Sequence, residues 1–182
     1  MIDCARDDPV AWLAALRYAC ALDTTNVANC YRYASEAERA GDDSSALQVY
    51  GRFARVDSNH IATWEAISRI GRRLMAQDVI LTAMRQLARL EPGNLERAAE
   101  LVDTLFARGR VAQGFAVLMP KLRSYPGNAH LLCLAGWYYS RLPTREDART
   151  ALVYLDRAVI ANDPAWKSQA LQLHDYIEPP LT

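Results

Sequence analysis

The segment Arg89-Leu90-Glu91-Pro92-Gly93-Asn94 recurs in related form on either side, as Arg55-Val56-Asp57-Ser58-Asn59 and as Arg123-Ser124-Tyr125-Pro126-Gly127-Asn128. The serine or proline of these segments stands at positions 58, 92 and 126, which are 34 residues apart. A further step of 34 residues towards the N-terminus reaches Thr24, in another short polar turn. A fixed period of this length is a sequence signature of helical repeat proteins. The chain is therefore predicted to contain units that begin at Val27, Ile61, Leu95 and Ala129.

Within each unit the apolar residues follow two helical stripes. Numbered from the first residue of a unit, positions 4, 7, 8 and 11 share one face of a helix, and positions 20, 24 and 27 share a face of a second helix. Each unit is thus predicted to be an antiparallel pair, helix A and then helix B. Asparagine at position 34 is suited to cap the next helix A, as at Asn26, Asn94 and Asn128. The predicted helices lie near residues 8–22, 27–40, 43–56, 61–76, 78–90, 95–108, 111–124, 129–141, 145–161 and 165–177.

This pattern resembles the tetratricopeptide repeat (TPR) family. That family prefers a small residue at position 8, alanine at 20 and proline at 32, and Gly136, Ala46, Pro92 and Pro126 match these preferences in different units. The resemblance implies an all-α fold, a right-handed TPR-type helical solenoid with one unpaired N-terminal helix, four helix pairs and a C-terminal capping helix. We expect a single TPR domain over residues 1–182, with a half repeat at 8–26, repeats at 27–60, 61–94, 95–128 and 129–164, and the capping helix at 165–177.

Two places depart from the period. In the fourth unit the helix B stripe arrives three residues late, which predicts a longer loop over Leu142-Pro143-Thr144. Thr144 and Asp147 have the spacing of a capping box at the start of that helix B. In the third unit Pro120 lies inside the predicted helix B, where it removes a backbone hydrogen bond, so we expect a kink there. Lys121 takes a position that is apolar in the other units, which indicates a shifted or partly exposed helix.

Composition argues against several classes of function. Lys and Arg number 21, as do Asp and Glu, so no net charge favours nucleic acid or an acidic membrane surface. The sequence has no phosphate-binding glycine loop, no metalloprotease motif and no nucleophile elbow. Its four cysteines form no C-x-x-C pair and have no histidine at zinc spacing. We therefore expect no enzyme activity, no cofactor and no metal.

The sequence also bears on the compartment. No apolar run approaches the roughly 20 residues that span a bilayer. Residues 1–8 have neither the basic nor the apolar region of a secretory signal. These features favour a cytoplasmic protein, or a chain trimmed from a longer one.

Cys20 and Cys30 are equally far from the predicted turn near Thr25, so antiparallel packing of the flanking helices could bring them together. Two states are open: a disulfide, or two buried thiols. Free cysteine is among the most buried residue types, and disulfides are rare in the cytosol. We favour free thiols.

The two ends of the chain differ. After Pro164, an apolar stripe of Trp166, Ala170, Leu173 and Ile177 faces away from polar residues, as in the capping helices that solenoids need. The N-terminal helix matches a helix B whose helix A is absent, and it places Trp12, Leu16 and Ala19 on the face that the missing helix would cover. Either this face mediates homodimer formation around Trp12, or the native chain continues upstream.

The TPR resemblance implies that the A helices line a concave groove with positions 2, 5, 9, 12 and 13. Arg69, Arg72 and Arg73 share one helix face and, beside aromatic residues, could bind a peptide with an acidic or carboxylate anchor; a solvated arginine face is the alternative. The carboxylate clamp of some TPR proteins is not implied, because the first unit has Tyr31 and Ser35 where the clamp needs lysine and asparagine. The predicted groove residues are Tyr31, Ser35, Arg39, Glu65, Arg69, Arg72, Arg73, Asp103, Phe106, Trp137 and Arg141.

Three functions fit this sequence. The first is a scaffold or adaptor that binds a peptide or protein partner in the groove. The second is a chaperone of bacterial secretion or envelope assembly that keeps an apolar segment soluble. The third is a TPR fragment of a larger enzyme, such as a glycosyltransferase, which the unpaired first helix favours.

Overall fold

The computed structural model describes residues 8–177, and every regular element within that range is an α-helix. Each of the ten helices lies within three residues of the bounds predicted from the sequence. They are α1 (Pro9–Leu22), α2 (Val27–Arg39), α3 (Asp43–Val56), α4 (Ile61–Arg73), α5 (Gln77–Leu90), α6 (Leu95–Ala107), α7 (Val111–Ser124), α8 (Ala129–Ser140), α9 (Arg145–Ile160) and α10 (Pro164–Ile177).

The helices are organised in two compact units, Met1–Leu90 and Glu91–Thr182. The N-terminal unit has a core of residues from α1 to α5, and the C-terminal unit has its own core of residues from α6 to α10. The expectation of one TPR domain across the chain stays a prediction. No helix in residues 8–177 combines the length and the apolar character needed to cross a bilayer.

Helix starts follow the predicted caps. The side chains of Asn26, Asn94 and Asn128 each accept a hydrogen bond from the backbone N–H three residues further on, which satisfies a donor that the helix leaves unpaired. Thr144 and Asp147 form the predicted capping box at the start of α9, and residues 141–144 form the loop before it. The caps thereby fix where the A helices of three repeats begin.

Small residues at positions 8 and 20 of a repeat allow close approach of paired helices. A Cβ atom added at Gly136 of α8 would lie 2.6 Å from Leu155 of α9, and one added at Gly114 of α7 would lie 2.5 Å from Phe106 of α6. Real Cβ atoms do not pack so closely, because protein interiors are already filled to crystal-like density. Glycine at these two positions therefore sets the distance between helices A and B.

In three repeats, the turn before helix A accepts a hydrogen bond from a side chain of the following helix B. The guanidinium of Arg89 donates to the carbonyl of Ser58, that of Arg157 donates to the carbonyl of Pro126 over 2.7 Å, and the ammonium of Lys121 donates to the carbonyl of Pro92. All three acceptors stand at position 32 of a repeat. Lys121 is half-buried, and its ammonium makes the hydrogen bond to Pro92. Helix α7 continues through Pro120, and the kink predicted there stays a prediction.

Candidate functional site

The N-terminal unit has a cavity of about 780 Å³ between α2, α3 and the start of α4. Two of the predicted groove residues, Tyr31 and Ser35, line it. The surface of the cavity wall is mainly apolar, with polar and charged side chains between the apolar ones. The lining residues are Val27, Ala28, Tyr31, Arg32, Ser35, Glu36, Phe53, Asp57, His60, Ala62 and Thr63.

Tyr31 is held in this wall by aromatic neighbours. Its ring meets Tyr50 and His60 edge-on, with centroids 5.4 and 5.8 Å away, and is tilted against Phe53 at 5.8 Å. Such edge-to-face contacts favour one ring orientation. Burial, with the nearby Tyr31 and Glu38 adding to it, raises the pKa of Tyr50 to about 12, so this phenol stays uncharged. The wall around Tyr31 is therefore aromatic.

The arginine row of α4 is engaged within the unit. Arg69 donates two hydrogen bonds to the carboxylate of Glu38, at 2.6 and 3.0 Å. Arg73 bonds Asp43 at 2.6 and 2.8 Å and reaches Glu38 at 3.0 Å. The hydrogen bond from Arg69 lowers the pKa of Glu38, and that from Arg73 lowers the pKa of Asp43. A carboxylate anchor on a partner would have to share these guanidinium groups with two internal carboxylates.

The other predicted groove residues of this unit lie outside the cavity. Arg72 is exposed in the last turn of α4, and Glu65 is half-buried one turn from the start of that helix. Arg39 pairs with Glu36 at 3.1 Å, on α2, and its side chain is 75% exposed. The structure thus assembles Tyr31 and Ser35 in one cavity. On α4 it pairs Arg69 and Arg73 with internal carboxylates, in a row separate from that cavity.

The C-terminal unit has a smaller pocket of about 310 Å³ between α6, α8 and α10. Phe106 and Trp137 are stacked here, with ring centroids 5.1 Å apart and an angle of 19° between the planes. The guanidinium of Arg141 lies 4.7 Å from the centroid of Trp137. Sequence reasoning found three members of the pocket wall, Asp103, Phe106 and Trp137. The full lining is Asp103, Phe106, Ala107, Cys133, Leu134, Trp137, Trp166, Gln169 and Leu173.

The third wall of this pocket, from α10, was missed by sequence reasoning. Trp166 and Leu173 belong to the apolar stripe that was interpreted only as a capping surface, and that stripe was the available signal. Trp166 stacks on His130 at 3.5 Å, and His130 Nε2 lies 3.4 Å from Asp103 Oδ2. Burial raises the pKa of the Cys133 thiol to about 11, so it remains a neutral apolar lining group. α10 therefore completes a pocket as well as covering the core.

A disulfide joins Cys20 and Cys30, with the two Cα atoms 4.7 Å apart. The prediction of free thiols was wrong. Both residues are buried where α1 meets α2, so the geometry that antiparallel packing allowed is the geometry that forms. The bond pins α1, the helix without a pair of its own, to the first complete repeat. Disulfides persist in oxidising compartments.

The exposed side of α1 also differs from the expected one. Leu16 is only 6% exposed and Ala19 is half-buried, because this face packs on α2. Trp12 is half-buried, with the guanidinium of Arg32 at 5.3 Å from its ring. The apolar residues that face solvent lie on the other side of the helix: Val10, Tyr18 and Leu22, at 78%, 66% and 70% exposure.

Within residues 8–177 no group of three or more histidine, cysteine or acidic side chains is placed to hold a metal ion. The geometry provides concave, aromatic-walled openings, and the two described above are built on the A helices of consecutive repeats. This defines the chain as a helical repeat protein whose candidate sites are surfaces for binding.

The fold is similar to that of several solved structures. The chain resembles YrrB, described as a TPR protein with an unusual peptide-binding site, at 16% identity over 92% of this chain and 86% of that one, with a TM-score of 0.60. It resembles MamA at 13% identity over 87% and 91%, with a TM-score of 0.57. A MamA from Desulfovibrio magneticus RS-1 gives 16% identity over 84% and 93%, with a TM-score of 0.53.

The chain therefore has the all-α fold of tetratricopeptide-repeat proteins, and the resemblance predicted from the sequence is confirmed. No family model and no curated protein matches the sequence itself.

Proposed function

We propose that this chain is a protein-interaction scaffold that binds an extended segment of a partner through the A helices of its repeats. The cavity of the N-terminal unit carries this proposal. At about 780 Å³ it has the size of a ligand site, and it is apolar with a few polar groups at fixed positions. Such a site suits an aromatic or aliphatic anchor side chain, because anchors buried in preformed pockets supply most of the affinity of an interface.

The charge of the cavity also favours an apolar anchor. Arg32 is offset by Glu36 and Asp57, so the lining offers no excess positive charge to an acidic peptide. An acidic or carboxylate anchor at the arginine row of α4 is the weaker proposal, since Arg69 and Arg73 already bond Glu38 and Asp43. The peptide-binding site described for YrrB supports peptide recognition on this fold, at the level of the fold alone.

Two further functions share this geometry. A chaperone that shields an apolar segment would use the same cavity, and the segments it selects would be uniformly apolar instead of having one anchor. A TPR fragment of a larger enzyme is favoured by α1, whose outward face is apolar and whose one charged residue is Arg17. A helix that is apolar on all sides is normally covered.

A peptide selection tests the proposal. Immobilised protein is offered a random peptide display library, and the selected peptides are titrated against wild type and Ala62→Trp, which fills the cavity from an exposed alanine in its lining. We expect the variant to bind the selected peptides at least about tenfold more weakly, since a hot-spot contact is worth about 2 kcal/mol. Ala15→Trp is the matched control, because Ala15 is exposed on α1, outside the cavity. Equal affinity of all three proteins would remove the cavity from the proposal.

Self-association through α1 is a separate proposal. We infer that a second copy covers the face of Val10, Tyr18 and Leu22, the exposed side of α1, instead of the face of Trp12. Tyr18→Glu should shift a dimer to monomer in light scattering, while Val153→Glu, on an exposed position of α9, should leave the mass unchanged. A wild-type protein that stays monomeric at high concentration contradicts this inference.

A further inference from the structure

We propose that the pocket of the C-terminal unit binds one basic side chain of the partner, arginine in preference to lysine. This inference rests on the proposed function, because it assumes that the chain holds a protein segment. It assigns the second unit a ligand chemistry that differs from the apolar anchor of the first.

Charge is the first reason. Among the described residues that line the pocket, Asp103 carries the charge, and the others are apolar, aromatic or neutral amides. The Asp103 side chain is 55% exposed, so its carboxylate can face a ligand. A guanidinium can donate to both oxygens of a carboxylate, which gives geometric specificity that an ammonium lacks.

Aromatic surface is the second reason. Phe106, Trp137 and Trp166 bring three rings to the pocket. The faces of such rings are negative and attract cations, arginine most often. The described residues already show this contact on tryptophan, in Arg141 on Trp137 at 4.7 Å and in Arg32 on Trp12 at 5.3 Å, and on tyrosine, in Arg157 on Tyr154 at 5.8 Å.

His130 does not line the pocket but contacts two residues that do, Trp166 and Asp103. Its ring stacks on Trp166, and its Nε2 is buried 3.4 Å from Asp103 Oδ2 without a hydrogen bond. The ring thereby packs against the indole and lies beside the carboxylate. Preorganised groups bind better because less freedom is lost when the ligand arrives.

Size limits the ligand to a single side chain. A volume of about 310 Å³ lies at the lower end of the range for ligand pockets, with walls from three helices. The pocket therefore accepts one long side chain and leaves the peptide backbone outside. Arg141, whose guanidinium lies over the ring of Trp137, is a like charge that lowers the affinity for a cation.

Tryptophan indole signals give a direct test. The chain has four tryptophans, two in the C-terminal pocket and two, Trp12 and Trp64, in the N-terminal unit. In ¹⁵N-labelled protein, N-acetyl-arginine methylamide should shift the indole signals of Trp137 and Trp166 saturably and leave the other two nearly unchanged. The citrulline analogue has the same shape without the charge, and it should bind about tenfold more weakly, because a hydrogen bond to a charged group is the stronger kind. The lysine analogue should fall between them.

Matched variants complete the test. Asp103→Asn should weaken arginine binding about tenfold, whereas Asp175→Asn removes the same charge from an exposed position of α10 and should have no effect. Arg141→Gln should tighten binding. The proposal is overturned by equal binding of arginine and citrulline, by tighter binding of a phenylalanine analogue, by Trp12 shifting as much as Trp137, or by no saturation at about 100 mM ligand. Because the peptide selection addresses the other unit, its failure and the failure of this titration are told apart.

Discussion

Glu38 and Phe106 both occupy position 12 of their repeats, and each contacts position 9 of the following repeat. In the N-terminal unit that contact is an ion pair, from Glu38 on α2 to Arg69 on α4. In the C-terminal unit it is an aromatic stack, from Phe106 on α6 to Trp137 on α8. The two pairs share a separation of 31 residues. The repeat geometry thus brings positions 12 and 9 into contact in both units, and the side chains at these positions determine whether the contact is an ion pair or an aromatic stack.

A second pair of equivalent positions differs in the space that it leaves open. Ser35 and Ala62 stand at positions 9 and 2 and leave open space between them, and both line the larger cavity. Asp103 and His130 stand at the same positions in the C-terminal unit and approach to 3.4 Å. An imidazole in place of a methyl group fills volume, so the space between these two positions is occupied in the C-terminal unit. The same two repeat positions therefore give two different surfaces.

The aromatic stack should matter most for stability. Phe106 is 5% exposed and contacts both Trp137 and Tyr138, so Phe106→Ala should lower the free energy of unfolding of the C-terminal unit by about 3–5 kcal/mol. Urea denaturation followed by circular dichroism measures this. Phe106→Leu keeps much of the volume and should cost less than half as much. A loss below about 1 kcal/mol for the alanine variant would mean that the pocket collapses around the missing ring.

The disulfide gives the N-terminal unit a stabilisation that has no counterpart among the described cysteines of the other unit, where Cys133 is free. Its chain separation is 10 residues, and closing a loop of this size stabilises by about 2–3 kcal/mol through the unfolded state. Reduction should lower the free energy of unfolding of the wild-type N-terminal unit by that amount, which urea denaturation measures as a lower midpoint. It should leave the Cys20→Ala/Cys30→Ala protein unchanged. Non-reducing peptide mass spectrometry identifies the bond, and recovery of two free thiols from native protein would refute it.

Crowding around Phe106 can be measured by a double-mutant cycle. Gly114→Ala brings a Cβ to 2.5 Å from the Phe106 ring, so we expect a loss of about 1–2 kcal/mol. In the Phe106→Ala background the same change should become neutral or stabilising by up to about 1 kcal/mol, because alanine is the better helix former. Gly51→Ala is the control, since nothing lies within 4 Å of its added Cβ. Additive effects would show that α6 and α7 do not press on each other here.

Much of this molecule could be predicted from local sequence. Helix bounds, the asparagine caps and the Thr144 capping box are short-range features, and all of them are confirmed. The disulfide was missed because the sequence analysis allowed Cys20 and Cys30 to meet but favoured free thiols on general grounds. The other two failures share a cause: they depend on which side chains meet across helices. Glu38 and Arg69 belong to the A helices of two successive repeats, 31 residues apart, so the pattern within one repeat does not predict that they meet. The exposed face of α1 could not be identified because that helix is apolar on nearly every side.

The ion pair should have the smallest effect, and its pH dependence distinguishes it from the aromatic stack. Glu38 is 11% exposed but Arg69 is 55% exposed, so solvent screens the pair, and Glu38→Gln should cost at most about 1 kcal/mol at pH 7. Hydrogen bonding from Arg69 lowers the pKa of Glu38 below its ordinary value of 4.5 in the folded state. The stabilisation is therefore complete above pH 4.5 and is lost as the pH falls through the lower, folded-state pKa.

The difference in unfolding free energy between wild type and Glu38→Gln should accordingly shrink as the pH falls from 7 to about 3, whereas the loss in Phe106→Ala should persist. Glu36→Gln removes the same charge from the same helix but disturbs only an exposed pair with Arg39, so it should cost a few tenths of a kcal/mol. If Glu38→Gln keeps its full deficit at low pH, the carboxylate acts through packing instead of charge. In that case the difference between the two units would lie in the size of the side chains at positions 12 and 9. The ion pair would form only because packing brings Glu38 and Arg69 together.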